Sequence, residues 1–461
     1  MTKPVLNRTV TRWSAVLLVV SAIVGSGVFK KIAPMSDALP SPGWILLCWL
    51  VAGLFTLIGA LCTAELAAMM PGSGGEYVFF KKIYGKFFAF LYGWSNLAVM
   101  KSASIAALAF IFSESFYSLF NLSVFHIDGI GFLGINAGAK IIASILIIFL
   151  SFINHRGIVV GEKLSRYLIA GIIISILGFC ISSLFSSHGS TANFATVSET
   201  PTGWPLLAAF FAAAISAFWA YEGWSNIGYI GEEVKEPQKN IPLALTLGTL
   251  GVIALYLLVN AAYIYVLPVE QLGAMASQAN KIAGVEAARV ISGNAGALIL
   301  SALILVATFS CTNSTILMSS RIVYAIARDR VFFKKAGEVH PRYHSPSHAL
   351  RWQCVWSVVL VWSGSFDQLT DLLIFASFIF YGSTALGVIV MRNKFPDAER
   401  PYRMFAYPVL PLIFILFCVT LVLVTIIQNP LQAFTGLALI FAGVPVYLYF
   451  SGRKPKEQLT E

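Results

Sequence analysis

The sequence predicts an all-α membrane protein. Of its 461 residues, 58% are hydrophobic and only 11% are charged, and the mean hydropathy is +0.80. Soluble proteins have about 25% charged and about 45–50% apolar residues. The apolar residues form long continuous runs, and most lysines and arginines lie in every second connection between those runs. These three observations exclude a soluble globular enzyme, a disordered chain and a coiled coil.

Twelve apolar runs are long enough to span a bilayer, which requires about 20 residues. The runs are continuous rather than alternating and are too long for barrel strands, so they predict helices. We expect them to fold as one membrane domain, 1–461. The expected limits of the spans are 13–38, 43–69, 86–112, 132–153, 163–185, 203–231, 240–267, 295–327, 348–365, 369–391, 408–428 and 431–451.

The positive charge predicts the orientation of the chain. There are 31 lysines and arginines, and the net charge is +10. If the N-terminus is cytoplasmic, most of these residues fall in cytoplasmic segments, as the positive-inside rule requires. We therefore expect a multi-pass protein with both termini in the cytoplasm, embedded in a lipid bilayer and binding no nucleic acid. The six cysteines have no motif spacing, so neither a disulfide framework nor a zinc site is predicted.

The first span contains a helix-breaking triplet, Gly25-Ser26-Gly27. Each glycine inside a helix weakens it by about 1 kcal/mol relative to alanine. The triplet indicates either an unwound stretch or a surface of small residues where two helices pack closely. Unwound backbone at this depth is tolerated only where it lines an enclosed cavity.

The sixth span contains a second irregularity, where Glu222 and Gly223 interrupt an aromatic run. A carboxylate at mid-span costs at least about 2.5–3.5 kcal/mol on insertion scales. The two interruptions lie five helices apart, which favours a five-plus-five inverted repeat with discontinuous helices 1 and 6. The expected repeats are 13–185 and 203–391, and 408–451 supplies two further C-terminal helices.

Broken helices expose opposite partial charges. Unpaired N–H groups at the start of a half-helix attract an anion, and unpaired carbonyls at its end attract a cation. A small zwitterion such as an α-amino acid matches this pair of ends. We expect its carboxylate on the amides of Gly25, Ser26 and Gly27. We expect its ammonium group on carbonyls near three further residues, Ile23, Trp219 and Ala220.

An ordered series of motifs runs across nearly the whole chain. The motifs occupy 24–29, 64–66, 71–77, 220–224, 232–237, 240–242, 320–321, 324–329, 339–341, 345–346, 400–402 and 408–411. In these motifs the chain resembles the amino acid–polyamine–organocation superfamily, and most closely its L-type amino acid transporter branch, in the bacterial type. The resemblance implies transport by alternating access, with the substrate carboxylate on Gly25 to Gly27. It also implies an aromatic lid at Trp219, which could equally be an ordinary packed aromatic residue.

The chain departs from the family pattern at several positions, of which three bear most directly on mechanism. Many bacterial relatives carry a lysine deep in the fifth span, where this chain has Ile172. Lys101 lies instead in the third span. It is either a gating or coupling cation or a structural charge that pairs with a carboxylate. Glu222 stands where many members have glycine. It could hold the substrate ammonium, a cationic side chain or a proton, or form a buried pair with Lys101.

The resemblance also bears on partners and gates. Heteromeric relatives use a cysteine after the third span to join a glycoprotein, and 113–131 contain none. We therefore expect no disulfide-linked heavy chain. The lack of such a cysteine is compatible with a monomeric protein. Glu232 and Glu233 end the sixth span and either form gate salt bridges with Arg321 or Lys163 or make a solvated helix end.

The expected function is secondary active or exchange transport of L-amino acids, mainly neutral ones, across the plasma or inner membrane. Proton symport and facilitated diffusion stay open beside exchange. The alternatives are a carrier of polyamines or cationic amino acids, and a sensor that does not transport. We expect no enzyme activity, no cofactor and no metal site, because no histidine lies deeper in a span than His348 at the start of the ninth, and prolines interrupt the spaced histidines of 340–348.

Overall fold

The computed structural model describes residues 6–120, 137–195, 202–278, 282–363 and 366–452. Within these ranges the chain is built from α-helices and short irregular connections. In chain order the helices are α1 (Arg12–Ile23), α2 (Gly27–Lys30), α3 (Ile32–Ala38), α4 (Pro42–Met69), α5 (Glu76–Ile83), α6 (Lys86–Ser95), α7 (Lys101–Leu119), α8 (Ala137–His155), α9 (Ile158–Leu184), α10 (Trp204–Tyr221), α11 (Pro237–Val266), α12 (Val269–Ala274), α13 (Ala283–Arg328), α14 (Ser347–Ser363), α15 (Phe366–Lys394), α16 (Val409–Gln428), α17 (Pro430–Phe441) and α18 (Gly443–Ser451).

The helical membrane fold is confirmed. Among the described residues, ten helical segments are long and apolar enough to cross a membrane. The other two predicted spans are the first, which is divided between α1 and the α2–α3 segment, and the ninth, which is the 17-residue α14. The count of twelve spans and the limits of the two repeats stay predictions.

Proline and glycine set several of the helix limits. Pro42, Pro237 and Pro430 each occupy the first turn of a helix, where the missing N–H would have no partner in any case. Helix α13 bends at Ser292 and Gly293, whose backbone angles are not helical. The predicted eighth span begins after this bend because the residues before it are more polar, whereas the helix itself begins at Ala283.

The helices pack into two groups that meet at the broken segments. In the first group α11 contacts both α1 and α4, and α4 contacts α10. In the second group α7 contacts α8, α13, α14 and α15. Helix α1 also contacts α9 and α13, and α2 contacts α10 and α13. The interruption between α1 and α2 therefore lies between the two groups, with the end of α10 beside it.

Candidate binding site at two helix breaks

The first span is interrupted at the predicted triplet. Helix α1 ends at Ile23, and Val24 has an extended backbone whose N–H donates to the Val20 carbonyl at 2.8 Å. Gly25 and Ser26 lie outside both helices, and Ser26 is the N-cap residue of the next one. Helix α2 then starts at Gly27, and the bond from the Lys31 N–H to the Gly27 carbonyl carries it into α3. The first N–H groups of this segment have no carbonyl partner within the helix.

The sixth span is interrupted at Glu222. Helix α10 ends at Tyr221, Glu222 is extended, and Gly223 has a φ of +113°. A 3₁₀ turn, Trp224–Tyr229, continues the chain in place of an α-helix. Only glycine adopts this φ without steric cost, so Gly223 permits the chain to turn at this point. Both predicted interruptions are therefore present.

The two breaks contact each other through backbone. A Cβ atom on Gly27 would lie 2.6 Å from the Cα atom of Ala220. A Cβ atom on Gly223 would lie 2.3 Å from the carbonyl oxygen of Ala22. Any larger residue at either position would force the half-helices apart. The glycines therefore set the separation between the end of α10 and the start of α2.

A small cavity lies between the breaks. All seven predicted binding residues line it, and four further residues complete the wall. The lining comprises Ile23, Gly25, Ser26, Gly27, Trp219, Ala220 and Glu222, together with Ala22, Ser104, Leu108 and Cys311. The enclosed volume of the cavity is about 20 Å³, room for about one water molecule, so the two breaks must separate before a metabolite can bind between them.

The Ser26 side chain is a buried polar group that faces no protein partner. Its hydroxyl oxygen has no hydrogen-bond partner in the described part of the chain, although the residue is only 1% exposed. Buried polar groups in native proteins are normally hydrogen-bonded, and exceptions call for a specific explanation. A ligand in the cavity would supply the missing partner.

Tyr256 bridges the two breaks, and sequence reasoning missed it. Its buried hydroxyl lies 3.1 Å from the Ile23 carbonyl and 2.9 Å from the Ala220 carbonyl. These are two of the carbonyls predicted to hold the ammonium group. A carbonyl oxygen has two lone pairs, so each can still accept from a ligand. Cys311 contributes a further donor, with its Sγ atom 3.2 Å from the Ala22 carbonyl.

Lys101 and Glu222 form a buried ion pair. The Lys101 Nζ atom lies 2.7 Å from Glu222 Oε1, and the two residues are 1% and 9% exposed. The Tyr381 hydroxyl contacts both carboxylate oxygens, at 2.9 and 2.8 Å. Lys101 follows a π-helical turn, Asn96–Met100, and such turns are frequent at functional sites. Glu222 lines the cavity, whereas Lys101 lies behind it.

A chain of buried polar residues extends from this pair towards α5. The Lys101 Nζ atom lies 5.8 Å from the centre of the Tyr229 ring. The Tyr229 and Tyr92 hydroxyls are 3.1 Å apart, and Tyr92 donates to Glu76 Oε2 at 3.1 Å. Glu76 directly follows the glycine-rich segment 72–75, and nothing in the local sequence connects it with Lys101 or Glu222.

Two ion pairs link helix α13 to the segment where the sixth span ends. Arg321 contacts both carboxylate oxygens of Glu233, at 2.7 and 3.2 Å, and neither side chain is exposed. Arg328 pairs with Glu232 at 3.2 Å in an exposed position. Of the two predicted partners of these glutamates, Arg321 is therefore the one in contact. The N–H groups of residues 9 and 10 also bond to the Glu233 carbonyl.

A family model described as amino acid permease matches residues 10–450. The chain belongs to this family of amino acid permeases. It is 29% identical to the serine/threonine exchanger SteT of Bacillus subtilis (strain 168), over 95% of this chain and 96% of that protein. It is 30% identical to the human b(0,+)-type amino acid transporter 1, over 95% and 86% of the two chains. The human large neutral amino acids transporter small subunit 2 is 28% identical, over 96% and 81%.

These relatives assign this amino acid permease to the L-type amino acid transporter branch of the amino acid–polyamine–organocation superfamily, as its motifs indicated. Members are membrane transporters rather than enzymes. The relatives match nearly the whole chain, and the family model covers both helix breaks.

Proposed function

We propose that this permease exchanges L-amino acids across the plasma membrane by alternating access. The observation that carries the proposal is the cavity that both helix breaks line. The names of SteT and of the two human relatives describe amino acid exchange or transport by those proteins. The family assignment supports the same activity in this chain.

The substrate binds through its α-carboxylate and α-ammonium groups, which every amino acid has. Its carboxylate accepts from the N–H groups of Gly25, Ser26 and Gly27 and from the unpartnered Ser26 hydroxyl. Its ammonium group donates to the carbonyls of Ile23, Trp219 and Ala220, where a helix end carries partial negative charge. Trp219 lines the cavity and closes over the substrate in the occluded state.

Transport follows from movement of one helix group against the other. The helix group that contains α1, α4, α10 and α11 rocks against the group around α7 and α13, so that the cavity opens to each side in turn. The ion pairs Arg321–Glu233 and Arg328–Glu232 separate when the cavity opens on their side. That side is the cytoplasmic one, with both termini, because lysine and arginine are concentrated there.

The permease works without a disulfide-linked partner. Residues 113–131, which include the end of α7 and the connection after it, contain no cysteine, although 121–131 lie outside the described residues. Non-reducing gel electrophoresis of protein purified from native membranes tests this, since a linked partner would shift the band on reduction.

Liposomes that contain purified protein test the function. They are loaded with single amino acids, and uptake of radiolabelled amino acid is followed with and without a pH gradient. Uptake that requires internal amino acid supports exchange, and equal uptake into empty liposomes contradicts it. Stimulation by an inward proton gradient, lost in Glu222→Gln, would instead indicate proton symport. Uptake of polyamines, which lack a carboxylate, would favour the alternative carrier function.

Ser26→Trp tests the site itself. The indole fills the cavity beside the first break, so uptake should fall to the level of protein-free liposomes. Ser175→Trp is the matched control, because Ser175 lies on an exposed face of α9 where a bulky side chain meets no neighbour that binds substrate. If Ser26→Trp transports as well as Ser175→Trp, the site is elsewhere.

A further inference from the structure

Glu222 is the charged residue on the wall of the cavity. The other described residues that line the cavity have no formal charge. A lone carboxylate at this position would attract a cationic side chain, because Coulomb forces in a partly buried site are several times stronger than in water. The charge of Glu222 therefore decides which amino acid side chains the site tolerates.

Lys101 compensates that charge from the far side. Its ammonium group lies 2.7 Å from Glu222 Oε1, and the Tyr381 hydroxyl occupies the remaining face of the carboxylate. Lys101 is 1% exposed, so it cannot move into water when a substrate arrives. A cationic substrate would have to displace a buried ammonium group or share the carboxylate with it. Either event leaves an uncompensated buried charge, which is strongly unfavourable.

We propose that Lys101 is a specificity-determining residue that makes the substrate site select neutral side chains by cancelling the charge of Glu222. This inference rests on the proposed function and adds the basis of its selectivity. Lys101 acts through Glu222 and need not touch the substrate. The site thereby combines a carboxylate at its wall with a preference for amino acids whose side chains are uncharged.

A set of four proteins tests this inference: wild type, Lys101→Met, Glu222→Gln and the double variant. Methionine keeps the length of the lysine side chain and removes its charge. Counterflow into liposomes gives the ratio of arginine uptake to serine uptake for each protein. We expect Lys101→Met to raise this ratio by about tenfold or more, because Glu222 is then uncompensated. The double variant should return the ratio towards the wild-type value.

The reciprocal variant tests the sign of the effect. Glu222→Gln removes the carboxylate in contact with the Lys101 ammonium group and leaves only the more distant Glu76 as a counter-charge, so the ratio of glutamate uptake to serine uptake should rise while the arginine ratio falls. A structural role for the ion pair would lower all uptake equally and leave both ratios unchanged. Unchanged ratios in Lys101→Met, or a double variant that behaves like Lys101→Met, would overturn the proposal.

Wild-type protein supplies a test that requires no variant to fold. A ligand that binds the native state raises the melting temperature by an amount that grows with the logarithm of the ligand concentration divided by its dissociation constant. Serine should raise it and arginine at the same concentration should not. Equal stabilisation by both overturns the charge selectivity while leaving the proposed function intact. No stabilisation or uptake with any amino acid would overturn the proposed function as well.

Discussion

Gly27→Ala tests whether the contact between the two breaks matters for transport. The added Cβ atom would lie 2.6 Å from the Cα atom of Ala220, whereas ordinary contacts begin at 3.4 Å. The end of α10 and the start of α2 would therefore have to separate by roughly 1 Å. Displacements of about 1 Å at an active site can reduce rates about 100-fold. We expect a loss of this order in the rate of amino acid exchange.

The assay is initial-rate counterflow in liposomes that contain equal amounts of folded protein. Gly251→Ala is the matched control, because Gly251 lies in α11 with no atom within 4 Å of an added Cβ. That substitution should leave uptake unchanged and, if anything, stabilise the helix by about 1 kcal/mol. If Gly27→Ala exchanges amino acids as fast as Gly251→Ala, the close approach of the two breaks has no part in transport.

Two further substitutions probe interactions that support the site. Tyr256→Phe removes the hydroxyl shared by the two helix ends, so the free energy of unfolding should fall by about 1–3 kcal/mol and the melting temperature with it. Tyr263→Phe is its control, since that buried hydroxyl has no partner among the described residues, and equal melting temperatures would contradict the expectation. Arg321→Met leaves the Glu233 carboxylate buried and unpaired, which should destabilise the fold by about 3–5 kcal/mol. Arg328→Met removes only an exposed pair and should cost under about 1 kcal/mol, so an equal effect of both arginine variants would refute the importance of the buried pair.

The positions of the two breaks could be predicted from local sequence. Glycine at positions 25 and 27 and a carboxylate at position 222 are each costly inside a helix in lipid, so both places were candidate interruptions, although the glycines alone were equally compatible with close helix packing. Their spacing of five helices also suggested that they meet. The seven residues predicted from this reasoning lie around one cavity. Their role in binding stays a prediction.

Other features of the site had no comparable local signal. Tyr256 is one of 17 tyrosines, and Ser104 and Cys311 lie in apolar helices where small residues are common. Nothing near them in the sequence indicates a partner, because their contacts are with helices far away in the chain. The pairing of Lys101 with Glu222 was one of several open alternatives. Its 2.7 Å distance selects the ion pair in this conformation.

The sequence by itself determined which segments form helices in the bilayer and where those helices are candidates for interruption. Apolar runs must form helices because backbone groups have no other partners in a bilayer, and interruptions are tolerated only where protein encloses them. Only the tertiary structure decided which side chains meet at those interruptions. Contacts such as Tyr256 with both helix ends depend on how α11 packs against α1 and α10, and that packing is a property of the assembled helices rather than of any one segment.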